Sequence, residues 1–168
     1  MIRRGALLGL LPLAALLGSC GLKPMYAGGS DGVVARGLSG IEVPVIQGRA
    51  GWLMRNALQD RLGASGADTG APRYRLDVRL DDQLEGLGVL GDDTIGRERR
   101  TLRARYQLVD LANGEILLDA TAGSDAGIDV VSSEYATIAA EQTALENLSL
   151  EVADRIVTQL ALTLREKP

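Results

Sequence analysis

The sequence predicts an α+β two-layer sandwich, in which two helices pack on one face of a four-stranded sheet and the elements follow the order β-α-β-β-β-α. Two segments, 49–62 and 135–164, repeat apolar residues at the spacing of an amphipathic helix. Several runs within 71–131 instead alternate apolar and polar residues, as strands with one buried face do. Because the strands cluster between the two helices, a sheet covered on one side is the expected architecture.

The first strand and the first helix are predicted between residues 41 and 63. The run 41–46 (IEVPVI) favours a strand, and its Pro44 cannot donate to a neighbouring strand, which places the run at an edge of the sheet. Apolar residues then recur at helical spacing through 49–62, and Gly63 marks the end of the predicted helix.

A three-stranded meander is predicted next. Its alternating segments are 73–81, 101–108 and 115–121. Asn113 and Gly114 separate the last two segments and form a strong hairpin signal. The glycine-containing stretch 82–95 is predicted as a long loop between the first two strands.

The last predicted element is a long helix. Ser132 or Ser133 can cap its start, and Glu134 lies where the helix dipole favours a negative charge. Its apolar stripe runs from Tyr135 to Leu164, which corresponds to roughly 45 Å at 1.5 Å per residue. Such a helix can cover the sheet and project past it.

The amino terminus has the layout of a bacterial lipoprotein signal. Arg3 and Arg4 precede a short apolar run, and Leu-Gly-Ser then leads to Cys20, the one cysteine of the chain. The apolar run is about 13 residues, whereas a membrane-spanning helix needs about 20. Residues 1–19 are therefore predicted to be a cleaved signal peptide, and Cys20 to carry a diacylglycerol and an N-acyl group.

The lipid on Cys20 is expected to hold the protein permanently on a membrane, because two or more acyl chains anchor stably. Gly21, where an inner-membrane lipoprotein tends to have Asp, favours the periplasmic side of the outer membrane. Residues 20–40, rich in glycine and small polar groups, are predicted to form a flexible tether. Residues 41–168 then form one domain.

Composition excludes several classes of function. Without Arg3 and Arg4 the mature chain has 16 basic and 22 acidic side chains (18 less 2 against 22), an acidic balance that argues against nucleic-acid binding. The chain has no histidine, and its one thiol is consumed by lipidation, so no catalytic residue, metal site or further cofactor is expected. A Gly-x-Gly-x-x-Gly match at 86–91 lacks the helix that a dinucleotide site requires, and the acidic pairs 81–82 and 92–93 are commoner as solvated turns than as calcium ligands.

Arginines are concentrated in the predicted meander. The candidate residues for binding an anionic group are Arg79, Arg97, Arg99, Arg100, Arg103 and Arg105. Two interpretations stay open. One is a solvated sheet face that is partly neutralised by acids, namely Asp77, Asp81, Glu98 and Asp119. The other is a surface for phosphate, which the planar guanidinium binds bidentately.

Three segments resemble one family of lipoproteins. The sequence CGLKPMY at 20–26, the helix RAGWLMRNALQDRL at 49–62, and SEYA at 133–136 with AAE at 139–141 are similar to the LptE family of lipopolysaccharide (LPS) assembly lipoproteins, in its alphaproteobacterial form. Leu22 stands where the family usually has an aromatic residue, and Met25 where it usually has Leu.

The resemblance implies a non-enzymatic function. LptE-like proteins sit in the lumen of the outer-membrane β-barrel LptD, where they plug the barrel, assist its assembly and help to deliver LPS to the outer leaflet. LPS binding in the family is attributed to basic residues near the strand loops, and the six arginines above are candidates on physical grounds. The alternative is a structural pilot or tether lipoprotein for another envelope complex, such as a secretin, without LPS contact.

Overall fold

The fold was analysed in a computed structural model, which describes residues 32–63, 70–89 and 95–166. The elements along the chain are α1 (Val33–Ser39), β1 (Ile41–Glu42), α2 (Gly48–Gly63), β2 (Tyr74–Val89), β3 (Ile95–Asp110), β4 (Ile116–Asp129) and α3 (Glu134–Glu166). The signal peptide 1–19, Cys20 and the tether up to residue 31 lie outside the described residues. Among the described residues, no helix is long and apolar enough to cross a bilayer.

The four strands form one sheet in the order β1-β2-β3-β4. β1 is parallel to β2, whereas β2, β3 and β4 form the predicted antiparallel meander. Gly114 adopts a φ of 75° in the β3–β4 turn, and the Asn113 side chain accepts a hydrogen bond from the Glu115 backbone N–H at 2.9 Å. The predicted α+β class and the Asn-Gly hairpin are thus confirmed.

Period-2 alternation divides the sheet into two faces. Even-numbered residues of β2, β3 and β4 face the helices, and Leu76, Leu102, Ala104 and Leu108 are fully buried there. Odd-numbered residues of the same strands form the opposite surface, which is mainly charged and is called the outer face below. The core therefore lies on one side of the sheet, as the sequence predicts.

The long helix α3 packs against the sheet and against both other helices. It buries an apolar stripe that includes Leu148, Val152, Ile156 and Leu160 against the sheet and the other helices. Arg61 of α2 donates to Asp154 of α3, with 3.0 Å between Nη2 and Oδ2. This contact joins the two helices at their exposed rim.

The structure corrects the predicted tether at its carboxyl end. Residues 33–39, expected to be flexible, form α1, in which Val34, Ala35 and Leu38 are buried. A Cβ on Gly37 would lie 3.1 Å from Leu164 Cδ1, so glycine lets α1 approach α3 closely. The glycine content of the segment is typical of a linker. However, Val34 and Leu38 are spaced i, i+4, which places both on the one face of the helix that packs into the core.

Two further boundaries differ from the prediction. β1 has two residues instead of six, because Val43 is followed by Pro44, which has no N–H to continue the ladder. The predicted loop 82–95 is mostly strand, since β2 extends to Val89 and β3 begins at Ile95. Gly86 pairs with Glu98 inside this hairpin, which excludes a nucleotide-binding turn at that position.

Candidate functional site: the arginine cluster on the outer face of the sheet

Five of the six candidate arginines share the outer face. They are Arg79 on β2 and Arg97, Arg99, Arg103 and Arg105 on β3. Odd numbering alone brings them together, because residues two apart on a strand point to the same side. The structure therefore assembles most of the predicted cluster on one surface.

Arg100 is the exception and lies on the helix-facing side. Its Nε and Nη2 donate to the two carboxylate oxygens of Asp82 at 2.8 and 2.7 Å, and its Nη1 donates to the Glu141 carbonyl at 3.0 Å. The hydrogen bond with Asp82 raises the pKa of Arg100 above its ordinary value. Arg100 thus joins the hairpin to α3, and its even number separates it from the other candidates.

The centre of the outer face holds three arginines on adjacent strands. Arg79 pairs directly with Arg105 in the register of β2 and β3, and Arg103 occupies the next outward position of β3, opposite Asp81. Directly opposed side chains on antiparallel strands have Cβ atoms about 5 Å apart, so like charges at these positions repel each other. Arg79, Arg103 and Arg105 are called the arginine triad below.

Acidic residues of β4 pair with three arginines of β3. Arg97 pairs with Asp129 at 3.0 Å, Arg99 with Asp125 at 3.9 Å, and Arg105 with Asp119 at 3.0 Å. By contrast, no described residue forms a hydrogen bond or an ion pair with the side chain of Arg79 or of Arg103. On the outer face, the arginines without a partner among the described residues are therefore Arg79 and Arg103 of the triad.

Arg105 is the member of the triad that has an acidic partner among the described residues, Asp119. Hydrogen bonds from Arg105 and then from Gln107 hold the pKa of the Asp119 carboxyl below its usual range. The same contact raises the pKa of the Arg105 guanidinium. Asp119 thus remains ionised throughout the neutral range and holds Arg105 in place beside Arg79.

A shallow groove lies beside Arg103. It has a volume of about 320 Å³ and includes Thr101, Gly123 and Asp125 in its lining. A Cβ on Gly123 would lie 3.1 Å from Arg103 Cγ, so the glycine leaves room for the arginine to lie across β4. The groove gives Arg103 space to approach a ligand from the outer side of the sheet.

The sequence analysis did not identify two of the acidic residues that pair with the arginines. Asp125 and Asp129 are the β4 partners of two arginines, whereas Glu98, which the sequence suggested as a neutralising acid, lies on the helix-facing side. The signal was available, since extending the period-2 alternation of β4 to residue 129 and of β3 back to residue 97 predicts both assignments.

The arrangement is suited to binding rather than to catalysis. Among the described residues, no three acidic or thiol side chains are grouped so that they could hold a metal ion. Arg79 and Arg103, which have no partner in the part of the chain that the structure describes, can instead each present a planar pair of donors to the oxygens of a phosphate. The outer face is therefore a candidate site for an anionic, phosphate-bearing molecule.

Comparisons with known proteins cover most of the chain. The model of the family described as LptE, lipopolysaccharide-assembly, matches residues 38–160. A solved structure described as a lipoprotein from Caulobacter crescentus CB15 is similar at 29% identity and a TM-score of 0.67, covering 82% of this chain and 98% of that one. No curated protein matches the chain.

Two more distant structures share the fold. A minor lipoprotein from Acinetobacter baumannii has 16% identity and a TM-score of 0.55, with 73% of this chain and 88% of that one covered. Rare lipoprotein B from Shewanella oneidensis has 12% identity and a TM-score of 0.52, with 73% and 92% covered.

Proposed function

Because the chain belongs to the LptE family of lipopolysaccharide-assembly proteins, we propose that it is a subunit of the LPS translocon, held on the periplasmic side of the outer membrane by acyl chains on Cys20. In this role it plugs an LptD-like β-barrel, assists the assembly of that barrel and helps to deliver LPS to the outer leaflet. The domain acts by binding and not by catalysis, in keeping with a chain that has no histidine.

The observation that carries the LPS contact is the pair Arg79 and Arg103, whose guanidinium groups have no partner among the described residues. LPS bears phosphate groups on its lipid A, and charge-assisted hydrogen bonds from arginine to phosphate are among the strongest polar contacts that proteins make. The surrounding acids confine this positive charge to a small area. A protein with an acidic balance can therefore bind one anionic headgroup without attracting polyanions in general.

A charge-reversal experiment tests the LPS contact. The Arg79→Glu/Arg103→Glu variant of the full lipidated chain should bind LPS about tenfold more weakly or worse, because each lost contact to a charged group is worth about 1.5–3 kcal/mol. The matched control is Arg36→Glu/Arg49→Glu, which changes the net charge equally but lies on α1 and α2. Equal loss in both variants, or in neither, contradicts a specific phosphate site on the outer face.

Depletion of the protein tests the wider role. Cells that lose it should show less LPS at the surface and an immature barrel. If instead a multimeric secretin co-purifies with the protein and surface LPS is unchanged, the function is that of a pilot or tether lipoprotein.

A further inference from the structure

β2 has a long edge that no described strand covers. β1 pairs with β2 only at Tyr74 and Arg75, while the β2–β3 ladder continues to Val89. From Val78 to Gly86, about 30 Å of strand therefore faces outward on the side of β1. An uncovered edge of this length is a template for pairing with another chain.

The register shows which backbone groups this edge presents. Tyr74 donates its N–H to Gly40 on the β1 side, at 3.1 Å, and the N–H and C=O of a strand residue point to the same side. Even-numbered residues of β2 therefore direct their backbone groups outward. The open edge presents the N–H and C=O groups of Val78, Leu80, Asp82, Leu84 and Gly86.

The β2 edge is open beyond Arg75 because Pro44 ends the first strand, and a cleft lies beside this edge. After Pro44 ends the pairing of β1, the segment 43–47 turns away to α2, where Arg55 Nε donates to the Val43 carbonyl at 3.0 Å. A cleft of about 410 Å³ separates Pro44, Val45 and Ile46 from Leu76 to Arg79. An extended chain can enter this cleft and continue along β2.

The opposite edge of the sheet, formed by β4, is partly occupied by a side chain. Arg155 of α3 reaches across β4 and donates to the outward-facing carbonyl of Gly123. An edge that already gives its backbone acceptor to a side chain is a poorer template for an added strand. Of the two edges, β2 is therefore the better template for an added strand.

The side chains along the β2 edge define the strand that would fit. On the helix-facing side Val78 and Leu80 are half-buried and Leu84 is 44% exposed, so an added strand needs apolar residues at alternate positions there. On the outer face Asp81, Gln83 and Glu85 follow Arg79 along the same edge, so beyond Arg79 an added strand favours basic or polar side chains. The complementary segment alternates apolar side chains with basic or polar ones.

We propose that the β2 edge from Val78 to Gly86 accepts one extended segment of the barrel partner, by strand addition. The barrel's own strands are already paired, so the segment is a loop or a terminus of that protein. The identity of the partner rests on the proposed function, whereas the docking edge rests on the register alone. The addition would fix the domain against the barrel through backbone hydrogen bonds.

A matched pair of substitutions tests the edge. Leu84→Pro removes an N–H that points to the open side and leaves the β2–β3 ladder intact, because residue 84 does not donate to β3. Leu84→Ala loses the same exposed side chain but keeps that N–H. With tagged full-length lipoprotein extracted from membranes, Leu84→Ala should retain the barrel protein like the wild type, and Leu84→Pro should retain about tenfold less.

A photocrosslinking residue placed at position 84 gives a second measurement that does not depend on proline. We expect a crosslink to an extended loop or terminus of the barrel protein. A crosslink to residues 21–31 of the same chain, to a second copy, or to nothing overturns the proposal. So does equal retention of the barrel by Leu84→Pro and the wild type, whereas recovery of no barrel by the wild type overturns the proposed function and with it the partner.

Discussion

Arg79 and Arg105 face each other directly across β2 and β3, although both carry a positive charge. Arg105 is held by Asp119, at 3.0 Å between Nη2 and Oδ2, but no described residue pairs with Arg79. Opposed like charges lower the stability of a sheet. The pair therefore costs the isolated domain some stability, which is the arrangement expected if the outer face binds an anion, as proposed above.

Replacing Arg79 should separate stability from binding. Arg79→Gln removes the repulsion, so thermal unfolding should occur at the same or a slightly higher temperature, with a free energy of unfolding changed by no more than about 0.5 kcal/mol. Binding of LPS should weaken in the same variant. A fall in the unfolding temperature of several degrees would show that Arg79 stabilises the fold.

The helix α1 should be part of the folded core. Leu38 is fully buried, so Leu38→Ala should lower the free energy of unfolding by about 2–5 kcal/mol. The neighbouring Ser39→Ala removes only a hydrogen bond to the Arg36 carbonyl at the helix end, and it should cost far less. Chemical denaturation of both variants measures the difference, and equal midpoints would restore the predicted tether up to residue 40.

Local patterns predicted the strands and helices better than the segments between them. The alternation 73–81 and the Asn-Gly turn depend on neighbouring residues alone, and both were found as predicted. α1 was missed because seven residues of helix are marginal by themselves and are held by packing against α3, a contact between opposite ends of the chain. Arg100 lies next to Arg99 in the sequence, but the period of the strand places it on the helix-facing side, so proximity along the chain does not predict a shared face.

Stability should depend on pH through the Arg61–Asp154 pair. The hydrogen bond from Arg61 lowers the pKa of Asp154 in the folded state. A depressed folded pKa means that the stabilisation is present above the unfolded value of about 3.9 and is lost as the pH falls through the folded pKa. Because the Asp154 side chain is 64% exposed, the pair should contribute no more than about 1 kcal/mol.

Asp154→Asn tests this dependence. At pH 7 the variant should be slightly less stable than the wild type, and the two stability curves should converge as the pH falls below about 4. Urea titrations at several pH values provide the measurement. A constant gap between the curves down to pH 2 would show that the pair does not titrate in this way.

Gly123 and Gly127 offer a matched test of the groove beside Arg103. Both lie on the outer face of β4, but a Cβ at Gly123 would lie 3.1 Å from Arg103 Cγ and 3.2 Å from the Leu102 carbonyl oxygen, whereas a Cβ at Gly127 meets nothing within 4 Å. Gly123→Ala should therefore displace the Arg103 side chain and weaken LPS binding several-fold. Gly127→Ala should bind like the wild type, and equal affinities in all three proteins would show that Arg103 does not contact LPS from this groove.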